Sequence, residues 1–167
     1  MPNAREPLLD AVVQAAQGAL VERDFSLADF SRLRDRLVEP TGVAKLRLAL
    51  HRIDDVPTGQ LAVTAEVKLV CQRCLQPMTT TLRSESEVAF AAGESERVPA
   101  GYELIAGDPK RVDLAALVED ELLLGLPPIP RHAAGEACRL PGTATAEEPA
   151  APEMRRPFAG LKDLLKH

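Results

Sequence analysis

Two cysteines separated by two residues, Cys71 and Cys74 in Cys71-Gln72-Arg73-Cys74, are the residues of this chain best spaced for chemistry. Two intervening residues let both thiolates reach one ion. His132 and Cys138, with five residues between them, have the spacing of the second half of a four-ligand zinc site. The four together use all three cysteines of the chain. A divalent ion held by three thiolates and one neutral imidazole leaves a formal charge of about −1, and four protein ligands leave no open position. Such a site is structural rather than catalytic. Arg73, between two ligands, and Arg131, beside a third, are placed to offset the charge. The prolines before His132 restrict the backbone and lower the entropy lost in holding that ligand.

Other chemistries of the same residues stay open at this point. A redox CxxC should open a helix after a strand, whereas Pro77 and a threonine run follow here. A Cys/His nucleophile pair should come with an orienting acid and an oxyanion motif, and neither is visible. Plain buried cysteines beside a surface histidine need no ligand at all. Glycine-rich phosphate loops and paired catalytic acids are absent. His51 and His167 have no visible partners and read as solvated.

Length and composition bound the elements that must position these groups. A chain of 167 residues with 46% apolar residues suits one domain with a real core. No apolar run reaches the roughly 18 residues that span a membrane. Met1–Pro7 has no basic patch followed by an apolar stretch, so a signal peptide is not expected and the cytoplasm is the expected compartment. An odd number of cysteines does not suit a disulfide framework.

The net charge of −5 argues against broad, sequence-independent nucleic-acid binding. The charge is uneven, however. Residues 31–52 carry six bases (Arg32, Arg34, Arg36, Lys45, Arg47, Arg52) against Asp35 and Glu39, while residues 85–121 carry ten acids against three bases. One reading makes Lys45, Arg47 and Arg52 a phosphate-facing side; the other makes them a solvated helix face and strand edge. Aromatics are only 3%, too few for a base-stacking platform.

Helical spacing predicts a short helix over 8–19, with Leu8, Leu9, Val12, Val13 and Ala16 on one face and Gly18 ending it. Residues 19–26 are ambiguous between strand and loop. A second helix is predicted over 28–38, with Phe30, Leu33 and Leu37 on its stripe. The period then changes. Residues 43–53 read as a strand, 54–59 as a turn, 61–69 as a half-buried strand, and 78–90 as one or two more. Residues 91–109 read as an acidic loop. The clearest helix spans 112–126, with Asp113 as its N-cap and Leu114, Leu117, Val118, Leu122 and Gly125 on the buried stripe. Glu121 falls on that stripe, either paired with an arginine or, as favoured, at its edge. Pro127, Pro128 and Pro130 end the helix. The expected fold is α+β: an antiparallel sheet (meander or partial barrel) with N-terminal helices and a C-terminal packing helix. Residues 1–140 form the domain, 141–156 a Pro/Ala/Glu/Thr-rich linker, and 157–167 a tail whose Phe158, Leu161, Leu164 and Leu165 form an apolar stripe that should dock.

Three segments carry a resemblance. Cys71-Gln72-Arg73-Cys74-Leu75-Gln76-Pro77 resembles the C-Q-R-C-L-x-P signature of the YceD family of large ribosomal RNA subunit accumulation proteins. Val118-Glu119-Asp120-Glu121 with the following apolar run, Pro127-Pro128-Ile129-Pro130-Arg131-His132 and Cys138 resemble its V-E-D-E helix, P-x-x-P-x-H and trailing Cys. Arg156-Pro157-Phe158-Ala159-Gly160-Leu161 resembles its N-P-F-A-x-L tail, with Arg156 where the family usually carries Asn. The resemblance covers about residues 60–167. It implies a non-enzymatic factor in large-subunit rRNA accumulation that binds metal, for which the ligand spacing names zinc, and RNA or a precursor particle, with ribosomal or assembly proteins as further partners. Neither a membrane nor a small-molecule substrate is implied. Cys71, Cys74, His132 and Cys138 become candidate metal ligands. Lys45, Arg47, Arg52 and Arg73, with Phe158 and Leu161 of the tail, become candidate RNA or partner contacts. The runner-up is a protein–protein adaptor acting through the tail without touching RNA.

Overall fold

The computed structural model describes residues 8–93, 98–133 and 138. Its elements run α1 (Ala11–Ala16), β1 (Leu20–Ser26), α2 (Ser31–Arg34), β2 (Val43–Ile53), β3 (Val56–Val70), β4 (Pro77–Ala91), β5 (Glu103–Ala106) and α3 (Leu114–Leu124). The five strands form one sheet in sequence order, β1-β2-β3-β4-β5. The fold is α+β, and the sheet is mixed: the first three pairings are antiparallel, and β5 lies parallel to β4. The antiparallel expectation is corrected at that edge, where a short strand occupies part of the segment read as acidic loop. Alternation could not reveal β5, because four residues are too few to show a period.

Period-two burial explains the long strands. Ala44, Leu46 and Leu48 of β2 face the core opposite Ala65, Val63 and Leu61 of β3, Leu50 lies opposite Gly59, and Val67 and Leu69 continue the same buried face of β3. The β2–β3 turn is only Asp54-Asp55, both with positive φ (48° and 68°), the geometry of a two-residue hairpin whose twist matches the strands. Residues 56–59, expected in that turn, therefore belong to β3. Gly59 fits there because a Cβ would meet the Ala49 carbonyl oxygen and Leu48 Cδ1 at 3.0 Å each. Residues 77–91 form one unbroken strand rather than two.

The N-terminal helices are shorter than the spacing predicts. Asp10 caps α1, and Gly18 in the left-handed region (φ 62°) follows its end. The buried face is Ala11 and Ala15, while Leu8 and Val13 are exposed. Small residues let this helix lie close to the sheet, and a short helix cannot bury every apolar side chain it carries. The predicted second helix breaks at Phe30, whose extended backbone separates a 3₁₀ turn (Leu27–Asp29) from the single turn α2.

Helix α3 starts where expected. The Asp113 side chain accepts from the Ala116 N–H at 3.1 Å, and Leu114, Leu117, Val118 and Leu122 are buried. Gly125 serves as its C-cap and is exposed rather than on the buried stripe. Glu121 is 6% exposed, so the edge reading is corrected; its partner is the Ser84 hydroxyl on β4, not an arginine. Both longer helices contribute to one continuous core on a single face of the sheet. Among the described residues, no helix is long and apolar enough to cross a membrane. The linker and tail, with Phe158, Leu161 and His167, lie outside the described residues.

Candidate metal centre

The centre is assembled by two stretches of backbone. Strand β3 runs out at Val70, and residues 71–76 reverse the chain into β4: the Cys71 N–H donates to the Gln76 carbonyl (3.0 Å), and the Leu75 N–H donates to the Cys71 carbonyl (2.9 Å). Leu75 adopts φ 61° to complete the turn. The second stretch leaves α3 through its prolines, where Pro130 offers its carbonyl to the Gln72 N–H at 2.8 Å. That bond lays the segment bearing His132 beside the cysteine knuckle.

The four side chains converge. Cys71 Sγ lies 3.7 Å from Cys138 Sγ, and Cys74 Sγ lies 3.4 Å from His132 Nδ1. All four ligand atoms fall within 4.8 Å of one another. A sulfur–sulfur separation of 3.7 Å is far beyond a disulfide bond. It matches the edge of about 3.8 Å expected for a tetrahedron with metal–sulfur bonds of about 2.3 Å. Cys71 and Cys74 are buried, while His132 and Cys138 are half-buried. Among the described residues the group holds no carboxylate. The knuckle joins two strands and opens no helix, unlike a redox CxxC.

Electrostatics favour a cation at the centre. Burial pushes the Cys71 thiol up, but the backbone N–H groups of Cys74, Arg73 and His132 donate to its sulfur and hold it at about 5. Burial and the neighbouring sulfurs of Cys74 and Cys71 push Cys138 the other way, to about 11. The Cys71 sulfur thus opposes ionisation of Cys138, a conflict that a divalent cation removes by neutralising both. The donor set therefore fits zinc: three soft sulfurs and one imidazole, with no site left for substrate.

The remaining expected contact residues are scattered. Arg73 and Arg131 are exposed beside the knuckle. Lys45 and Arg47 lie on the open face of β2, and Arg52 on the alternate side at its hairpin end. Arg47 pairs with Glu22 at 3.7 Å, and Arg52 with Asp55. Arg32 is held by Glu119 and Asp120, at 2.9 and 2.7 Å. Arg32 thus ties the basic segment to the acidic one, while the acids paired with Arg47 and Arg52 lie outside residues 85–121. His51 is not simply solvated; its Nε2 lies 3.3 Å from the Tyr102 hydroxyl.

Sequence reasoning missed Leu75 as a surface residue. It is 61% exposed and held in a conformation unusual for a branched side chain. With Ile129, also exposed, it gives the knuckle an apolar rim next to Arg73.

Comparison with known proteins agrees with the motifs. No solved structure matches the chain. A protein of Haemophilus influenzae named "Large ribosomal RNA subunit accumulation protein YceD" is 33% identical over 148 residues, covering 84% of this chain and 83% of that protein. The sequence profile described as "Large ribosomal RNA subunit accumulation protein YceD" matches residues 59–165, a span that runs from β3 through the knuckle, α3 and both later ligands. On that match and that identity, the chain belongs to the YceD family.

Proposed function

We propose that this protein is a non-enzymatic cytoplasmic factor that supports accumulation of large-subunit ribosomal RNA, with a zinc ion held by Cys71, Cys74, His132 and Cys138 as a structural staple. The observation that carries the structural role is the closed set of four donors within 4.8 Å. Family membership carries the link to the large subunit. In this reading residues 1–140 form the folded unit, 141–156 a linker and 157–167 a docking tail.

The RNA or precursor-particle contact centres on the knuckle. Arg73 is exposed and takes part in none of the ion pairs among the described residues, while Arg47 and Arg52 each have an acidic partner. Lys45 lies opposite Asp24 in the strand register. Lys45, Arg47 and Arg52 serve as secondary contacts at most, and Phe158 and Leu161 as partner contacts. The pairing of Arg47 and Arg52 with acids favours a second reading, an adaptor that acts through its C-terminal tail on ribosomal or assembly proteins and never touches RNA.

Depletion of the protein tests the function. The ratio of large- to small-subunit rRNA is expected to fall, and an unchanged ratio rejects the proposal. Crosslinking to RNA in cells separates the two readings: RNA crosslinks at the knuckle support direct contact, and protein crosslinks alone support the adaptor.

A further inference from the structure

An open groove of about 610 Å³ runs between the edge strand β5 and α3. Its floor is apolar, with Leu104, Ile105, Ala116, Leu117, Leu123 and Leu124. Leu124 is 76% exposed, the most open of the large apolar side chains among the described residues. The rim is acidic: Glu103, Asp108, Asp113 and Asp120 stand against the single base Arg111. Among the described residues, only Asp120 of these acids is in an ion pair, with Arg32.

We propose that this groove is the docking site of residues 157–167 of the same chain, with Phe158 and Leu161 entering the floor. Three features of the chain point to that occupant. Phe158, Leu161, Leu164 and Leu165 recur at the spacing of one helical stripe, and a segment so short is marginal without a surface to lie on. Residues 155–167 carry Arg155, Arg156, Lys162 and Lys166 against Asp163, a sign opposite to the rim. The reach is ample: the 20 residue steps from Cys138 to Phe158 span up to about 66 Å, against a radius of gyration of about 15 Å for a compact domain of this length. The docked tail covers an apolar floor that otherwise faces water and closes the exposed edge of β5. This inference is independent of the rRNA reading but rests on the docking-tail reading: with Phe158 and Leu161 in the groove, their contact is with this chain's own β5 and α3 rather than with an external partner.

Amide hydrogen exchange on the full chain tests it. In F158A/L161A, amides of residues 103–107 and 123–126 are expected to exchange at least fivefold faster than in the parent, while those of β3 are unchanged. L124D, at an exposed position that leaves the core alone, is expected to speed exchange of residues 158–166. Both effects should persist at tenfold lower protein concentration. Unchanged exchange in the groove and the tail overturns the proposal. An effect that vanishes on dilution also overturns it, because the occupant is then a second copy. Should F158A/L161A disturb β3, L124D alone decides.

Discussion

The carboxylate of Glu119 on α3 accepts the backbone N–H groups of Arg32 and Leu33, at 2.6 and 3.1 Å. The first turn of α2 has no side-chain cap of its own, since Phe30 occupies the cap position. One helix therefore caps another from 86 and 87 positions away in sequence. Glu119 is 7% exposed, whereas the Arg32 side chain that grips its other oxygen is 52% exposed. The backbone bonds should thus outweigh the ion pair. Glu119→Ala is expected to destabilise by about 2–4 kcal/mol in urea unfolding. Arg32→Ala is expected to cost clearly less; an equal loss would show that the ion pair, not the cap, holds the two helices.

The same carboxylate sets an acid limb. Burial pushes Glu119 up, but the two backbone N–H groups and the Arg32 guanidinium outweigh it and hold the group below the usual carboxylate range. A depressed folded pKa contributes stability above the unfolded value, and that stability is lost as pH falls through the folded one. Thermal midpoints of the parent should therefore decline below about pH 4–5. Glu119→Gln should start lower at neutral pH and show a shallower decline; parallel curves would assign the acid limb to other groups.

Glu121 is a buried acid held by a single hydroxyl from Ser84. Removing the hydroxyl leaves the carboxylate unpaired, so Ser84→Ala should cost about 1–3 kcal/mol. Replacing the acid by an apolar residue of similar size removes the need for a partner. Glu121→Met in the Ser84→Ala background should therefore recover most of that loss. No recovery in chemical denaturation would mean that Glu121 does something beyond filling the stripe.

Metal content checks the centre directly. Protein purified without added metal or chelator is expected to carry one zinc per chain, and the Cys71→Ser/Cys74→Ser variant none. The staple closes the loop from Cys71 to His132, so its loss should lower the melting midpoint by about 10 °C. Equal midpoints with and without metal would remove the structural role.

The knuckle surface should be separable from the staple. Arg73→Glu reverses an exposed side-chain charge and keeps the backbone N–H that donates to the Cys71 sulfur. It should leave zinc content and melting unchanged while lowering the large-to-small rRNA ratio in a depleted strain to at least half of the depletion effect. Full complementation by Arg73→Glu would move the contact elsewhere.

The chain announced most of the strands and the ligands, for reasons visible in particular residues. Leu61 to Leu69 alternate cleanly because one face of β3 is buried along its whole length. The four ligands could be named from spacing, although only the Gln72–Pro130 bond shows how the two halves meet. Other features were illegible because they depend on distant partners. The break at Phe30 follows from a tertiary cap on the turn after it, and propensity over 28–38 carries no trace of Glu119. Glu121 looked misplaced because its partner, Ser84, is on another element. Parallel β5 is too short for periodicity and is defined by its neighbour β4 alone.

The two halves of the centre are made at different times. Cys71 and Cys74 leave the synthesis machinery 64 and more residues before Cys138, a lag of about 3–13 s at bacterial elongation rates. During that interval two thiols are present without their chelating partners, while β4, β5 and α3 are still being added. With the proposed zinc bound, closure of the cluster would report that everything between Cys71 and Cys138 has been delivered. On the same proposal, a newborn chain truncated before residue 132 would lack half of that lock, which would leave incomplete copies open to proteolytic clearance.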